Sequence, residues 1–253
     1  MIVEAHDLRK VYGRFVALSG LDLAVPEGSI FALLGANGAG KTTFIKTLLN
    51  IVEPSGGRAS LLGVDSRAIG PSVLAQIGYV SENQAFPARL RVREFFDYVR
   101  RAYPRWSRSA EDELRKELQL PAERRIGALS HGMRLKLALA CALPFRPRLL
   151  ILDEPFSGLD ALVRDEVIAG FLRHAGETSI LISSHELDEV ERLATHVGII
   201  DKGRLLFQGA LSELRQEARK LLASGDTGSE RPASLRDIFV AMAHRARLRA
   251  TGP

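Results

Sequence analysis

The chain contains little that would tie it to an oxidising compartment or to a bilayer. Its 253 residues include one cysteine, Cys141, so no disulfide can form within the chain. No apolar run approaches the roughly 18 residues that a membrane-spanning helix needs. The first residues, MIVEAHDLRK, include an early acidic residue and no long apolar segment, which argues against a secretory signal. These absences predict a cytoplasmic protein.

The overall composition is that of an ordinary globular protein, with 46% hydrophobic and 26% charged residues. The length allows one large domain or two small ones. The formal net charge is +5, and arginine is much commoner than lysine. A nucleic-acid surface, a membrane face or a bound nucleotide would each account for this excess.

The order of sequence patterns indicates an α/β fold with a mixed or parallel sheet. Short strand-like runs with turn signals at Gly13 and Pro26 come first. A buried strand, SIFALLGA, then leads through a glycine-rich loop into a helix, TTFIKTLLNIV, and ASLLGVD and IGYVSE read as further strands.

Helical patterns alone occupy the stretch from about Val92 to Leu143, which predicts a helical subdomain inserted into the α/β core. The core resumes with the strand RLLILDEP, the helix ALVRDEVIAGFLRHAG and the strand SILISSH, followed by a hairpin that turns at residues 201–203. We therefore expect an α/β core at about 1–85 and 145–210, a helical subdomain at about 86–144, and a helical tail over 211–253. The tail reads as one helix, a polar linker and a last amphipathic helix from Ser234 to Leu248.

The segment GANGAGKTT, from Gly35 to Thr43, matches the P-loop pattern G-x-x-x-x-G-K-[ST]. It follows a buried strand and opens a helix, as phosphate binding by this motif requires. The glycines let successive N–H groups curl around phosphate oxygens. Lys41 would reach the terminal phosphates, and the Thr42 hydroxyl would bind Mg²⁺. The alternative is a glycine-rich turn with no ligand.

The segment LLILDEP, from Leu149 to Pro155, is a buried strand that ends in two carboxylates. The carboxyl ends of strands in α/β sheets form the crevice where ligands bind. There Asp153 would hold Mg²⁺, directly or through water, and Glu154 would act as the general base on water. The alternative is a solvated pair of surface carboxylates.

The segment LSHGMRLKLALA places Ser130 and Gly132 at the start of an amphipathic helix. Ser130 is a good N-cap, which is the simpler interpretation. The other interpretation is that Ser130 and Gly132 hold a phosphate, because N–H groups and the helix dipole favour an anion there.

Taken together, these motifs resemble those of the ATP-binding subunits of ABC transporters, in the same order, over nearly the whole chain to about residue 210. LSHGM is similar to the family's LSGGQ signature, and SGLD, from Ser157 to Asp160, resembles its D-loop. His185, in SSHELDE, matches the switch histidine, and Tyr12, in KVYG, matches the aromatic residue that stacks on adenine.

The resemblance implies a P-loop core with an N-terminal antiparallel β portion, and ATP and Mg²⁺ as ligands. It implies Glu154 and His185 as catalytic residues, Thr42, Asp153 and Glu82 as metal ligands, and Asp160 as the D-loop residue. Two chains would pack head to tail, so that Ser130, His131 and Gly132 contact ATP held by the other subunit. The residues implied to bind ATP in the same chain are Tyr12, Gly35, Ala36, Asn37, Gly38, Ala39, Gly40, Lys41, Thr42 and Thr43.

Three positions depart from the family pattern. His131 replaces the first signature glycine and Met133 the glutamine, while Ser130 and Gly132 remain. His131 would either add a donor to the γ-phosphate or face outward at the helix end. Glu82 stands where the family's Q-loop glutamine is expected, with Gln84 two residues on. A carboxylate can also reach Mg²⁺ or its water, so the role is assigned to Glu82.

The other candidates have less specific patterns. His6, His174, His196 and His244 lack ligand spacing and are interpreted as structural. The segment FPARLRVREFFDYVRRAYPRW is rich in arginine and aromatic residues, and is either a solvated basic face or, by resemblance, the region that receives a helix of the membrane-embedded partner.

Three functions are compatible with a P-loop: a transporter ATPase with separate membrane subunits, an ABC-type ATPase acting on DNA or the ribosome, and a small-molecule P-loop kinase. One cassette without long heptad arms disfavours the second, and the signature, SGLD and switch histidine together disfavour the third. We expect an exporter ATPase at the inner face of the cell membrane. Its partners would be a second ATPase subunit and separate permease subunits, without nucleic acid.

Overall fold

The computed structural model describes residues 1–159, 164–165, 167–169, 172 and 178–216. The chain divides into two compact units, one formed by Met1–Ala68 together with the segment from Leu181 onward, the other by Ile69–Ile180. The predicted limits of the core, the helical subdomain and the tail stay a prediction. Asp160, His174, His244, the predicted helix over 234–248 and the tail beyond residue 216 lie outside the described residues.

Ten strands and six helices can be given bounds within the described ranges. The strands are β1 (Val3–Tyr12), β2 (Phe15–Val25), β3 (Ile30–Leu34), β4 (Gly56–Leu61), β5 (Val64–Asp65), β6 (Ile77–Ser81), β7 (Leu149–Asp153), β8 (Ser179–Ser184), β9 (His196–Asp201) and β10 (Arg204–Ala210). The helices are α1 (Lys41–Leu48), α2 (Pro71–Leu74), α3 (Val92–Arg100), α4 (Arg108–Glu117), α5 (His131–Ala142) and α6 (Leu187–Leu193).

The first unit contains an antiparallel sheet in the order β2-β1-β4-β5. Strands β1 and β2 have 10 and 11 residues, so the prediction of short runs here is wrong. Register shifts between the two strands, the first between Ala5 and Leu8, allow the pairing to continue through irregular positions. Both predicted turn signals are confirmed, because Gly13 lies in the turn between β1 and β2 and Pro26 directly follows β2.

The first unit also holds one side of the mixed sheet, with β10, β9, β3 and most of β8 as neighbours in that order. β9 pairs in parallel with β3 and antiparallel with β10. The predicted hairpin turn is confirmed, because Lys202 and Gly203 have φ values of 47° and 75° between β9 and β10. The four final residues of β3 are buried, as expected for a strand covered on both faces.

In the second unit, β6 and β7 pair in parallel from Ile77 opposite Leu149 to Ser81 opposite Asp153. α5 packs against β6, and its residues from Leu135 to Ala142 are all buried. All five residues of β7 are buried as well. A buried core therefore holds the ends of β6 and β7 and the start of α5 in place.

The predicted helices at α1, α3, α4 and α5 are confirmed, with Ser107 and Ser130 as N-caps of the last two. The sequence analysis missed α2 and α6, which have only four and seven residues. In the part of the chain that the structure describes, no helix is long and apolar enough to span a bilayer.

Candidate functional site

The P-loop lies in the first unit, between the buried strand β3 and helix α1. Gly40 caps the helix with a φ of 111°, a conformation that side-chain-bearing residues rarely adopt. A Cβ on Gly40 would stand 2.6 Å from the Ala17 carbonyl oxygen. The last glycine of the motif is therefore required both by its backbone conformation and by the strand beside it.

Lys41 is the first residue of α1 and is 4% exposed. Its Nζ donates to the carbonyl oxygens of Gly35 and Ala36, the latter at 3.2 Å. The ammonium group thus lies within the curve of the loop that it would serve. Thr42, the next residue, is exposed, and Thr43 is half-buried.

Two hydrogen bonds fix the P-loop to its neighbours in the first unit. The Gly203 N–H donates to the Ala39 carbonyl oxygen at 2.8 Å, and the Gly35 N–H donates to the Ser184 carbonyl oxygen at 3.3 Å. The second bond brings the loop to the residue before His185, which is exposed in the turn after β8.

Gly203 is a site residue that sequence reasoning missed. A Cβ there would stand 2.6 Å from the Ala17 carbonyl oxygen, so the hairpin turn can lie against β2 only as glycine. The sequence signals a turn at this position. Nothing in its spacing connects that turn with a loop more than 150 residues earlier.

Tyr12 lies at the end of β1, also in the first unit, and is 44% exposed. The Nζ of Lys10 stands 4.9 Å from the centroid of its ring, a cation–π contact of the exposed kind. An exposed aromatic ring offers a face on which an adenine base can stack. The stacking role of Tyr12 stays a prediction.

The acidic pair lies in the second unit, at the end of β7. Asp153 is 3% exposed and Glu154 is 8% exposed, so the alternative of solvated surface carboxylates is wrong. Glu154 has a φ of 49°, a left-handed conformation that is costly for a non-glycine residue and concentrates at functional sites. The chain therefore turns sharply at Glu154.

Glu82 and Gln84 follow β6 at the same edge of the sheet. Ser81 stands opposite Asp153, so Glu82 begins just beyond the acidic strand end, and it is exposed. The Oε1 atom of Gln84 is buried without a hydrogen-bond partner. It lines a cavity of about 250 Å³, together with Glu82, His131, Arg134 and other residues. From the sequence, the Q-loop role is assigned to Glu82, and Gln84 is noted only as lying two residues further on.

Tyr79 is a further residue near the acidic strand end. Burial raises the pKa of Tyr79 above its usual value, a hydrogen bond with the Ser81 side chain opposes this, and the negative charge of Asp153 adds to it. The phenol consequently stays protonated and neutral beside the carboxylate. Its position in the middle of IGYVSE gave no functional signal.

The signature segment begins α5. The Ser130 Oγ accepts a hydrogen bond from the Met133 N–H at 3.3 Å, so the N-cap prediction is confirmed. Ser130 and His131 are exposed, and Gly132 is half-buried. The His131 Nε2 stands 3.1 Å from the Ser157 carbonyl oxygen, so its ring contacts the SGLD segment of its own chain. The contact of these three residues with phosphate stays a prediction.

The structure thus gathers the predicted residues into two groups. The first unit brings together the P-loop and His185, and also carries Tyr12. The second unit brings together Asp153, Glu154, Glu82 and the signature residues. Among the described residues, no group of three or more His, Cys, Asp or Glu side chains could hold a metal ion by itself.

His196, interpreted from the sequence as structural, lies at the start of β9, and its Nδ1 stands 3.0 Å from the Thr195 hydroxyl oxygen.

The chain resembles known transporter proteins over most of its length. Residues 18–157 match the family model described as ABC transporter. The bacitracin transport ATP-binding protein BcrA of Bacillus licheniformis is 36% identical over 225 residues, which cover 87% of this chain and 74% of that protein. The daunorubicin resistance ATP-binding protein DrrA2 of Streptomyces coeruleorubidus is 36% identical over 230 residues, covering 88% and 70%.

An import protein matches as well. The sulfate/thiosulfate import ATP-binding protein CysA of Rhodopseudomonas palustris is 34% identical over 260 residues, covering 97% of this chain and 74% of that protein. A solved structure of an ATP-binding subunit of an ABC transporter superposes with a TM-score of 0.82 at 28% identity, covering 96% of this chain and 100% of that one. The predicted fold class and the resemblance stated from the motifs are both confirmed.

Proposed function

This chain belongs to the ABC transporter family as an ATP-binding subunit that hydrolyses ATP, and from that premise we propose which residues carry the reaction and what it drives. The observation that carries the catalytic part is the buried acidic pair at the end of β7. Glu154, 8% exposed, is the general base that takes a proton from the attacking water. The water oxygen bonds the γ-phosphorus, the bond to the β–γ bridging oxygen breaks, and ADP and phosphate leave.

The P-loop binds the phosphates of ATP in this proposal. Residues 35–43 offer their backbone N–H groups, and Lys41 exchanges its carbonyl partners for phosphate oxygens. Tyr12 stacks on the adenine base. His185, one residue beyond the strand end that bonds Gly35, contacts the γ-phosphate. These roles follow the family resemblance, and the burial of Lys41 supports its part.

The residues assigned to Mg²⁺ fit that ion in their chemistry. Thr42, Asp153 and Glu82 all offer oxygen atoms, the ligands that Mg²⁺ prefers. Mg²⁺ is commonly held by one or two carboxylates plus substrate phosphates, which agrees with the lack of a metal cluster among the described side chains. When bound, the ion neutralises charge on the phosphates.

Two subunits, identical or related, complete each other's sites. Ser130 and Gly132, with His131 between them in the sequence, contact the γ-phosphate of ATP held by the partner, and the family resemblance assigns Asp160 to the D-loop. ATP closes the pair and hydrolysis reopens it. The position of Ser130 at the start of α5 supports this role, because the N–H groups and the dipole of a helix N-terminus favour an anion.

The motion drives export through separate permease subunits, which hold the chain at the inner face of the cell membrane. The names of BcrA and DrrA2, which mention bacitracin transport and daunorubicin resistance, support antibiotic-like cargo. The similarity to CysA keeps import as the alternative. In this proposal the permease subunits select the cargo.

The catalytic assignment is tested by Glu154→Gln. We expect phosphate release to fall by roughly 10²–10⁴-fold, the usual contribution of a general base, while ATP binding is retained. The matched control is Glu113→Gln, which changes an exposed carboxylate in the same unit and leaves turnover as in the parent protein. Phosphate release by Glu154→Gln at the control's rate excludes Glu154 as the base.

Transport is tested with the Glu154→Gln protein trapped with ATP in its native host and gently solubilised from membranes. Copurification of a polytopic membrane protein supports the permease, and enrichment of ribosomes or DNA over the Glu113→Gln control contradicts it. The identified permease is then coexpressed with the parent chain in inside-out vesicles. ATP-dependent accumulation of bacitracin or daunorubicin in these vesicles indicates export, and ATP-dependent release of preloaded compound indicates import.

A further inference from the structure

We propose that His131 is a positioning residue that links the first turn of α5 to the turn that carries Glu154. Through this link, contact of the signature with one ATP influences the geometry of the base that acts on the other ATP. The inference rests on the proposed roles of Ser130 and Glu154. It assigns to the histidine a task that the glycine usual at this signature position cannot perform, because glycine has no side chain.

The contact that carries the inference joins two segments separated by 26 residues. The His131 Nε2 stands 3.1 Å from the Ser157 carbonyl oxygen, a hydrogen-bond distance. A carbonyl oxygen can only accept, so Nε2 must carry the proton. The contact therefore requires the Nε2–H form of the ring, whether neutral or charged.

Ser157 closes the turn that begins at Glu154. Its N–H donates to the Glu154 carbonyl oxygen at 3.3 Å, and the Leu159 N–H donates to the Phe156 carbonyl oxygen at 3.2 Å. Glu154 sits at a φ of 49°, which persists only where the surroundings hold it. A group that fixes Ser157 therefore also restrains the conformation of Glu154.

At its other end, the contact begins on the first helical residue of α5. Ser130, immediately before it, caps the helix through the Met133 N–H, and the helix from Leu135 onward is buried. A phosphate that binds Ser130 competes with this cap. The resulting change in the first turn of α5 moves the His131 ring. Through its hydrogen bond to the Ser157 carbonyl oxygen, the ring then shifts Ser157.

From the sequence, His131 has two alternatives, a donor to the partner's γ-phosphate or an outward-facing ring. The structure places the exposed ring on its own chain instead. The two contacts make different kinetic predictions. A ring that holds the Glu154 turn affects turnover, whereas a ring that holds only nucleotide affects apparent ATP affinity.

The first test is the tautomer of His131 in the full chain. Protein labelled with ¹⁵N-histidine is measured by long-range ¹H–¹⁵N correlation at a pH where imidazole rings are neutral, and His131→Gln identifies the signal. A single Nε2–H tautomer is expected. An Nδ1–H tautomer, or an equal mixture of the two, overturns the contact, independently of any ATPase measurement.

The second test compares the ATPase kinetics of His131→Ala and His131→Gln. We expect His131→Ala to lower kcat roughly threefold to tenfold, the equilibrium equivalent of one net hydrogen bond, with KM for ATP unchanged. Gln carries an amide donor at its Nε2, so His131→Gln restores at least half of the lost kcat. His6→Ala, at an exposed histidine of the other unit, is the control and matches the parent protein.

The outcomes separate this inference from the proposed function. Parent-like kcat in His131→Ala, a raised KM with unchanged kcat, or no rescue by His131→Gln overturns the role of His131 while the ATPase assignment stands. Parent-like turnover in Glu154→Gln removes the base assignment, and the inference falls with it. An Nδ1–H tautomer would still exclude the contact, whatever the ATPase measurements show.

Discussion

At the scale of single residues, Lys41 carries a buried positive charge inside the P-loop. The side chain is 4% exposed, and a buried ammonium group needs hydrogen-bond partners. The Gly35 and Ala36 carbonyl oxygens supply them. Phosphate oxygens carry full negative charge and are stronger acceptors than carbonyl groups. In the proposed function, Lys41 therefore gains by exchanging these carbonyl partners for phosphate oxygens of ATP.

Lys41→Met tests this exchange. The charge is lost while the length of the side chain is kept, so we expect ATP affinity to fall by roughly 10–100-fold, the loss of one hydrogen bond to a charged group. Binding is measured by titration calorimetry with ATP and excess Mg²⁺. Lys46→Met, at a half-buried lysine of the same helix, is the matched control, and equal affinities of the two variants would contradict the assignment.

At the scale of elements, the helical segment of the second unit is organised around one buried carboxylate. Glu111 of α4 is 6% exposed. It accepts two hydrogen bonds from Arg100 Nη2 at the end of α3, at 3.1 and 3.0 Å, and one from the Trp106 indole at 2.8 Å. One side chain therefore holds together two helices and the connection between them.

Trp106, which donates to this carboxylate, belongs to a cluster of aromatic rings that includes Phe145, just after α5. The rings of Tyr103 and Phe145 stack with centroids 3.9 Å apart, and Trp106 lies 6.3 Å from Phe145. Burial, and then the negative charge of Glu111, raise the pKa of the Cys141 thiol well above its usual value. Cys141 is accordingly a protonated core residue rather than a reactive thiolate.

Glu111→Gln should destabilise the second unit by about 2–3 kcal/mol. Breaking a buried ion pair costs about 3–5 kcal/mol, and the loss is smaller here because Arg100 is partly exposed and also pairs with Asp97 at 3.0 Å. Urea unfolding is followed by the fluorescence of Trp106, the one tryptophan in the chain. Glu113→Gln, on an exposed carboxylate of the same helix, should stay within about 0.5 kcal/mol of the parent.

An unchanged unfolding midpoint in Glu111→Gln would mean that the aromatic stacking alone organises these helices. Far-UV circular dichroism measured alongside fluorescence checks that the transition is that of the backbone. A loss of similar size in Glu113→Gln would instead point to the overall charge of α4. The comparison of the two variants therefore isolates the contacts of Glu111.

The sequence predicted the features that depend on neighbours along the chain. The P-loop, the Ser130 cap and the turn at Gly203 are each encoded within a few residues. The contacts of Glu111 with Arg100, of His131 with Ser157, and of Gly203 with Ala39 depend on how distant segments pack, and no local pattern encodes them. The short helix α6 was missed because seven mostly polar residues after a strand resemble a loop.

At the scale of the whole molecule, the proposed function requires two chains, because Ser130 would serve the ATP of its partner. Ser130 is exposed, and its Oγ already accepts the Met133 N–H. An arginine there removes the cap and adds a long cation at the surface. In the partner's closed site this side chain would occupy the space of the γ-phosphate. The substitution leaves the P-loop residues of its own chain, in the first unit, unchanged.

Ser130→Arg, introduced into the Glu154→Gln background, should therefore abolish ATP-dependent dimerisation and leave ATP binding to the monomer within about twofold. Light scattering coupled to gel filtration, with and without ATP and Mg²⁺, measures the first quantity, and calorimetry at low protein concentration measures the second. Ser72→Arg, at another exposed serine of the second unit, controls for the added charge. A monomer that loses ATP affinity would place Ser130 on its own nucleotide, and a dimer that still forms would remove the signature from the interface.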